Sequence, residues 1–389
     1  MSRSNIDVEL IIKKTAEKTA QTSLQVQKAY GVMLAELDTD IAVTPCEVVY
    51  QEDRVKLKHY VPETVKSKTP LLIVYALINR ETMLDLQPER SVIQAMLSHG
   101  QEVYMIDWGY PGRKDRYLTI DDHVNWYMDD MIDFIRKRHG LDKINLMGIC
   151  MGGAFSVMYS ALHPDKIKNL VTTVTPTNFD TDKGFLHLWS RQLNPEKLLS
   201  TRGNLAGDTM NMGFLLMNPA RLMMDKYVGF MENMDNKTFV EDFIRMEKWI
   251  FDSPDVPGET FKQFVTDCYQ QNLLIQSKMK LNGKRVDLKN ITMPLLNIYG
   301  KFDHLVPPEA AELLTARVGS QDVEDLCLNT GHIGIYVSSK YQKEFTPKIM
   351  SWLSQRENPQ KENPQNEKPQ TDMPRLSALK GEERPRKIA

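Results

Sequence analysis

In this 389-residue chain the residue best placed to act as a nucleophile is a cysteine set among glycines, in the run Gly148-Ile149-Cys150-Met151-Gly152-Gly153. It follows the apolar run Ile144 to Met147 and precedes a helix-like segment, the order of strand, sharp turn and helix that a nucleophile elbow requires. The turn lifts one side chain clear of the sheet, and small residues two positions to either side let strand and helix approach closely. Taken alone, the pattern fits equally a buried, inert cysteine beside a tight turn. An elbow makes a further demand: an acid after a later strand and a histidine after the last one, in the chain order nucleophile, acid, base. Asp303 follows the apolar run Leu295 to Tyr299 in G-K-F-D-H-L-V-P-P, and His332 follows Asp322 to Leu328 in N-T-G-H-I-G. Each lies a few residues past its strand, at the sheet edge where open α/β sheets assemble their sites. His304 competes for the role of base, but the strand-then-loop placement favours His332. An oxyanion hole would take the backbone N–H of Met151 and a second from Leu77 or Ile78, in the loop after Leu71 to Tyr75, with Ile78 as the expected donor.

A cysteine in the nucleophile's place also selects the electrophile. Acyl transfer from a thioester to a thiolate is close to isoenergetic, and the enzyme thioester stays activated toward attack by an alcohol. Pairing with a histidine raises a cysteine's thiolate fraction near neutral pH. The substrate is therefore expected to be a thioester.

These residues need a scaffold, and the chain's patterning supplies one. Two runs, Val48 to Gln51 and the alternating Val55 to Tyr60, flank Glu52-Asp53 and read as an antiparallel hairpin at a sheet edge. From Pro70 the pattern changes to continuous apolar runs, as in buried parallel strands. Strands are expected at Leu71 to Tyr75, Glu102 to Asp107, Lys143 to Met147, Asn169 to Val174, Leu295 to Tyr299 and Asp322 to Leu328. Helical stretches fit at Arg90 to Ser98, Ile120 to Arg138 and Gly153 to His163. The result is a doubly wound, mostly parallel α/β sheet formed by residues 41–175 and 291–354, with residues 176–290 inserted as a cap over the elbow. The cap is broken by Asn194-Pro195, Asn218-Pro219, Ser253-Pro254 and Pro257-Gly258, and its methionine-dense segment Met210 to Met246 fits core filling better than an apolar channel. Residues 1–40 hold an amphipathic helix or helix pair from about Asp7 to Leu37, with Val26, Tyr30, Met33, Leu34 and Leu37 at helical spacing. Residues 355–389 are rich in Pro, Gln, Asn, Glu and Lys and read as disordered.

Composition excludes several classes. A net charge of −2, from 49 basic and 51 acidic residues, with no basic cluster among aromatics, argues against nucleic-acid binding. The cysteines Cys46, Cys150, Cys268 and Cys327 show neither metal-ligand nor disulfide-framework spacing and suit a reducing cytosol, so no metal and no cofactor are expected. The longest apolar run, Leu71 to Ile78, falls short of the roughly 18 residues a membrane span needs, and no export signal is read.

Three further motifs stand out, L-L-I-V-Y-A-L-I-N-R, V-Y-M-I-D-W-G-Y-P and M-E-K-W-I-F-D, and of these Y-A-L-I-N-R and D-W-G-Y-P are not general features of hydrolases. With G-I-C-M-G-G, D-H-L-V-P-P and T-G-H-I-G-I-Y-V they make the chain resemble the poly(3-hydroxyalkanoate) synthases, most closely the two-subunit class III type, from about residue 40 to residue 353. The resemblance implies an α/β-hydrolase fold. It implies a cytoplasmic acyltransferase at the surface of polyester granules that polymerises (R)-3-hydroxyacyl-CoA, with short-chain 3-hydroxybutyryl-CoA as the expected monomer, and releases CoA. In that setting Cys150 would hold the growing chain as a thioester and His332 would activate it. Asp303 would orient His332 or assist deprotonation of the incoming 3-hydroxyl. A homodimer and a companion subunit are implied as well, the N-terminal helix being one docking candidate. Class III elbows read G-I-C-Q-G-G, and Met151 is more typical of class IV; an elbow that donates through its backbone N–H should tolerate the change. A cysteine hydrolase of the dienelactone or thioesterase kind and a non-enzymatic granule-coat protein are the alternatives, separated from the synthase by the products formed from 3-hydroxybutyryl-CoA.

Overall fold

The computed structural model describes residues 37–199, 203–217 and 226–357. Eight strands form the main sheet: β1 (Glu47–Glu52), β2 (Val55–Tyr60), β3 (Leu71–Val74), β4 (Val103–Asp107), β5 (Ile144–Ile149), β6 (Ile167–Thr173), β7 (Leu295–Gly300) and β8 (Val323–Leu328). Their spatial order is β1-β2-β4-β3-β5-β6-β7-β8. The β1–β2 and β2–β4 pairs are antiparallel and all others parallel. The hairpin sits at the sheet edge, as its alternation predicts. Every residue of β3, β4, β5 and β7 is buried, because crossover helices cover both faces and leave no wet side for a polar alternation. The outermost strands β1 and β8 alternate or expose their residues instead.

Helix α1 (Val92–Ser98) starts two residues later than its periodicity suggests, because the Ser91 side chain accepts from Gln94 N at the N-cap. The stretch before α2 (Met128–His139) is a π-turn, Asp122–Tyr127, and α2 ends on the left-handed Gly140. Helix α3 (Met151–Leu162) begins at once after Cys150, so Gly152 and Gly153 are helical residues and not part of the turn. The sequence pattern misses the last long helix, and residues 355–357 do not belong to a tail. Helix α9 (Ser339–Gln355) closes the fold. Arg356 pairs with Asp322 through Nε at 2.8 Å, and the Glu357 carboxylate accepts from Ser67 Oγ at 2.8 Å and Lys68 N at 3.1 Å. Composition read these charged residues as solvated, whereas the fold pairs them.

The insertion carries α4 (Phe185–Gln192), α5 (Gly207–Met217), α6 (Lys226–Glu232), α7 (Lys237–Phe251) and α8 (Gly258–Gln263), followed by a two-residue-strand hairpin at Lys280–Leu281 and Lys284–Arg285. Its methionines are divided: Met210 and Met246 pack against the main core and Met234 against a smaller cluster within the cap, whereas Met212 and Met231 are 52 % and 70 % exposed. The expected N-terminal helix lies outside the described residues, apart from Leu37. From there residues 37–40 run along α7: Asp38 pairs with Arg245 at 3.3 Å, and the Thr39 carbonyl accepts from Lys248 Nζ at 2.9 Å. Among the described residues no helix is long and apolar enough to cross a membrane.

Candidate active site

Cys150 joins β5 to α3 with φ 53° and ψ −121°. Such a conformation costs a non-glycine residue about 1–3 kcal/mol and persists only where the surroundings over-determine it. Here its N–H donates to the Thr173 carbonyl at 2.9 Å, and its own carbonyl accepts from Ala154 N at 3.1 Å. Close approach of backbones sets the glycines. A Cβ on Gly148 would lie 2.5 Å from Gly153 Cα, and one on Gly152 would lie 2.3 Å from the Val74 carbonyl oxygen. The same strained backbone recurs at Val174 (φ 45°), a β-branched residue, and at Asn79 (φ 58°), both just past strands at the same end of the sheet.

Asp303 and His332 meet at that end. The loops after β7 and β8 are pinned together by Lys301 N to the Leu328 carbonyl at 2.8 Å and Phe302 N to the Thr330 carbonyl at 3.0 Å. His332 Nδ1 lies 2.6 Å from Asp303 Oδ2, and the Asp303 side chain is fully shielded from solvent. The other carboxylate oxygen, Oδ1, accepts from Leu305 N at 2.9 Å and Val306 N at 2.8 Å. Burial opposes charge on His332, yet the Asp303 carboxylate and the hydrogen-bonded Cys150 sulfur outweigh it and hold the imidazole well above its usual value. His304 is exposed.

Tyr75, Tyr269 and Tyr336 complete the surroundings; Tyr75 and Tyr336 lie within the motifs Y-A-L-I-N-R and T-G-H-I-G-I-Y-V, whereas no sequence pattern marks Tyr269. All three phenols are raised, chiefly by burial with a contribution from Cys150, and stay protonated. Tyr336 Oη also bonds Thr173 Oγ1 at 2.7 Å. The Met151 N–H opens α3, among the first four that have no carbonyl partner inside a helix. Gly152 packs against the carbonyls of Val74 and Tyr75, which brings the loop carrying Leu77 and the half-buried Ile78 beside the elbow.

The three motifs that lie outside the triad form one joint between core and cap. Lys58 Nζ contacts Glu81 at 2.6 Å and Asp107 at 2.9 Å, and Arg80 Nη2 contacts the same two carboxylates at 3.1 Å each. Arg80 Nη1 donates to Tyr110 Oη at 2.7 Å, and Tyr110 passes the chain on to Asp252 of the cap at 2.5 Å. Trp249 Nε1 donates to the Arg80 carbonyl at 2.8 Å, and Asn79 Nδ2 to Ser253 Oγ at 2.6 Å.

Residues 69–338 match the family model for the alpha/beta hydrolase fold, and residues 15–96 match that for the Poly-beta-hydroxybutyrate polymerase (PhaC) N-terminus. The second match starts well before residue 40, so the likeness reaches further toward the N-terminus than the motifs suggest. The Poly(3-hydroxyalkanoate) polymerase subunit PhaC of Allochromatium vinosum is 50% identical over 82% of this chain and 90% of its own length. That of Thiocystis violacea is 47% identical over 87% and 98%, and that of Haloferax mediterranei 44% over 88% and 70%. Among solved structures, a Paleococcus ferrophilus monoacylglycerol lipase aligns with a TM-score of 0.48 at 17% identity, over 77% of this chain and 99% of its own. With the sheet order, the elbow and these matches in hand, the chain belongs to the PhaC family of poly(3-hydroxyalkanoate) polymerases.

Proposed function

We propose that this polymerase uses Cys150 as its nucleophile, His332 as its base and Asp303 to orient His332, and that it polymerises short-chain (R)-3-hydroxyacyl-CoA, 3-hydroxybutyryl-CoA first among them. The observation that carries the reading is the strained Cys150 held beside a histidine whose Nδ1 is 2.6 Å from a buried carboxylate. The Cys150 thiolate attacks the thioester carbonyl, and the N–H groups of Met151 and Ile78 receive the oxyanion. CoA leaves with a proton from the His332 imidazolium. The 3-hydroxyl of a second monomer then attacks the enzyme thioester; its proton passes to His332, an ester bond forms, and the Cys150–acyl bond breaks. The lengthened acyl group, now on CoA, returns to Cys150 by the same exchange. Both oxygens of Asp303 are already engaged, which favours an orienting role over direct contact with the hydroxyl.

The cap presents Trp189, Met212 and Leu216 to solvent around an open groove of about 370 Å³, a surface suited to a polyester granule in the cytoplasm. A homodimer and a class III type companion subunit complete the reading, with residues 37–40 on α7 marking where an N-terminal segment leaves the cap. Incubation of the purified chain with 3-hydroxybutyryl-CoA tests it. Precipitating polymer with CoA release is the expected result, and free 3-hydroxybutyrate alone overturns it. Adding the companion subunit should remove a lag; full activity of the lone chain from time zero refutes that part.

A further inference from the structure

With both Asp303 oxygens engaged, an attacking hydroxyl that gives its proton to His332 needs another group to fix its direction, and the cap holds one. His187, on α4, is 0 % exposed, and neither Nδ1 nor Nε2 makes a hydrogen bond to a described residue. Buried polar groups are nearly always partnered, and leaving one without a partner costs free energy. Its ring centroid lies 5.2 Å from that of Tyr269, one of the phenols grouped around Cys150, and 6.2 Å from that of Phe179. A Cβ on Gly184 would touch both His187 Nδ1, at 3.2 Å, and Pro307, at 3.3 Å, in the loop that carries Asp303. The Asp303 charge acts on the ring, but burial foremost, then Arg191, lowers it to about 4, so it is neutral near pH 7. A neutral imidazole offers one N–H donor and one lone pair, and a hydroxyl is the group that both accepts and donates.

We propose that His187 is a substrate-positioning residue of the cap, whose imidazole hydrogen-bonds the 3-hydroxyl of the incoming hydroxyacyl group and aims it at the Cys150 thioester. The proposal rests on the polymerase reading above. The ring takes no proton; the hydroxyl proton goes to His332. Acylation of Cys150 by an acyl group without a 3-hydroxyl therefore does not need His187, whereas chain growth does.

The test compares His187→Phe and His187→Gln with the unmodified full chain. Acylation is read by mass spectrometry of Cys150 after brief exposure to butyryl-CoA, and growth by steady CoA release and polymer from 3-hydroxybutyryl-CoA. For His187→Phe, acylation should stay within about twofold while growth falls about 10–100-fold, the scale of one or two hydrogen bonds. Growth by His187→Gln, which keeps a donor and an acceptor, should fall between the two. The Tm of His187→Phe should equal or exceed that of the parent, because an apolar ring leaves no unpartnered nitrogen. Unchanged growth in His187→Phe overturns the proposal, and so does an equal loss of acylation and growth in both variants, which marks a structural role. If the unmodified chain releases CoA without polymer, the polymerase reading falls and this proposal with it.

Discussion

Two histidines lie within range of one carboxylate, one on the sheet edge and one in the cap, and their protonation is driven in opposite directions. Burial disfavours charge on both; for His332 the 2.6 Å contact with Asp303 and the Cys150 sulfur overcome it, whereas the His187 ring, with Arg191 nearby and no hydrogen bond to a described residue, drops to about 4. The difference shows that a carboxylate partner can outweigh desolvation in deciding which form a shielded histidine keeps. It also separates the two halves of the site. On the core side Asn145 pairs with Asn169 at 2.8 Å, Thr172 with Asn297 at 2.8 Å, and Asp303 with two backbone N–H groups. In the cap the ring of His187 is left without a hydrogen bond to a described residue.

The largest break in this contrast is removal of the group the core side serves. Cys150→Ala should lower CoA release by about 10⁴-fold or more and abolish the acyl adduct. An adduct on Cys46, Cys268 or Cys327 would sink the assignment. Cys150→Gly should be equally inactive and yet about 1 kcal/mol more stable in urea unfolding, because glycine tolerates φ 53° and the strain then disappears. The next largest effect distinguishes the partnered histidine from its exposed neighbour. His332→Gln should cost about 10²–10⁴-fold in kcat/KM. His304→Gln should stay within roughly twofold, as surface substitutions commonly do. Equal losses at the two positions would remove His332 from its role.

Stability against pH sharpens the comparison further, since His332 and His187 contribute with opposite sign. The folded-state value of His332 is raised, so its pairing stabilises fully below the unfolded value near 6.5 and that contribution is lost as pH rises through the folded value. Asp303→Asn should therefore be most destabilised relative to the parent in acid, with the gap narrowing toward alkaline pH. For His187 the folded value is depressed. Between about 6.5 and about 4 the unfolded chain takes up a proton that the folded ring refuses, and the fold loses stability as pH falls. His187→Phe removes that loss and should gain on the parent over the same interval. Urea unfolding from pH 4.5 to 9 reads both gaps; parallel curves for the two variants would contradict the assignment of opposite shifts.

Which parts of this site the sequence discloses follows from the same contrast. Cys150, Asp303 and His332 are legible because each sits at a fixed offset from an apolar strand, and strands buried on both faces stand out as unbroken apolar runs. His187 is not legible: α4 has no strand to index it, and a lone histidine among Phe185, Leu186 and Leu188 reads as packing. Composition misled where tertiary pairing overrode it. Met212 and Met231 of the cap looked like core and lie exposed, and Arg356 and Glu357 looked like tail and are bound. Helix α9 was hidden by Pro347 within it. The motifs Y-A-L-I-N-R, D-W-G-Y-P and E-K-W-I-F-D were visible as strings without a shared purpose, because only the fold brings Arg80, Tyr110 and Asp252 together.

That meeting point yields the smallest effect and the most specific one. Tyr110 is 53 % exposed, and its hydroxyl bridges Arg80 of the buried Lys58–Glu81–Asp107–Arg80 cluster to Asp252 on the cap, beside a direct Arg80–Asp252 pair at 3.8 Å. Removing the hydroxyl leaves the core-side pairs intact and the ring still stacked 4.9 Å from the guanidinium. Solvent screens what is lost, so Tyr110→Phe should destabilise the chain by no more than about 1 kcal/mol. If the joint only adds stability, activity will follow that small loss. If it sets the height of the cap above the elbow, Tyr110→Phe should raise KM for 3-hydroxybutyryl-CoA severalfold while leaving Cys150 acylation at saturating substrate unchanged. Asp252→Asn keeps an acceptor for the phenol and should sit between Tyr110→Phe and the parent. A variant series in which KM does not move while Tm falls assigns the joint to stability alone, and the contrast between a paired core and an adjustable cap then rests on His187 without help from the hinge.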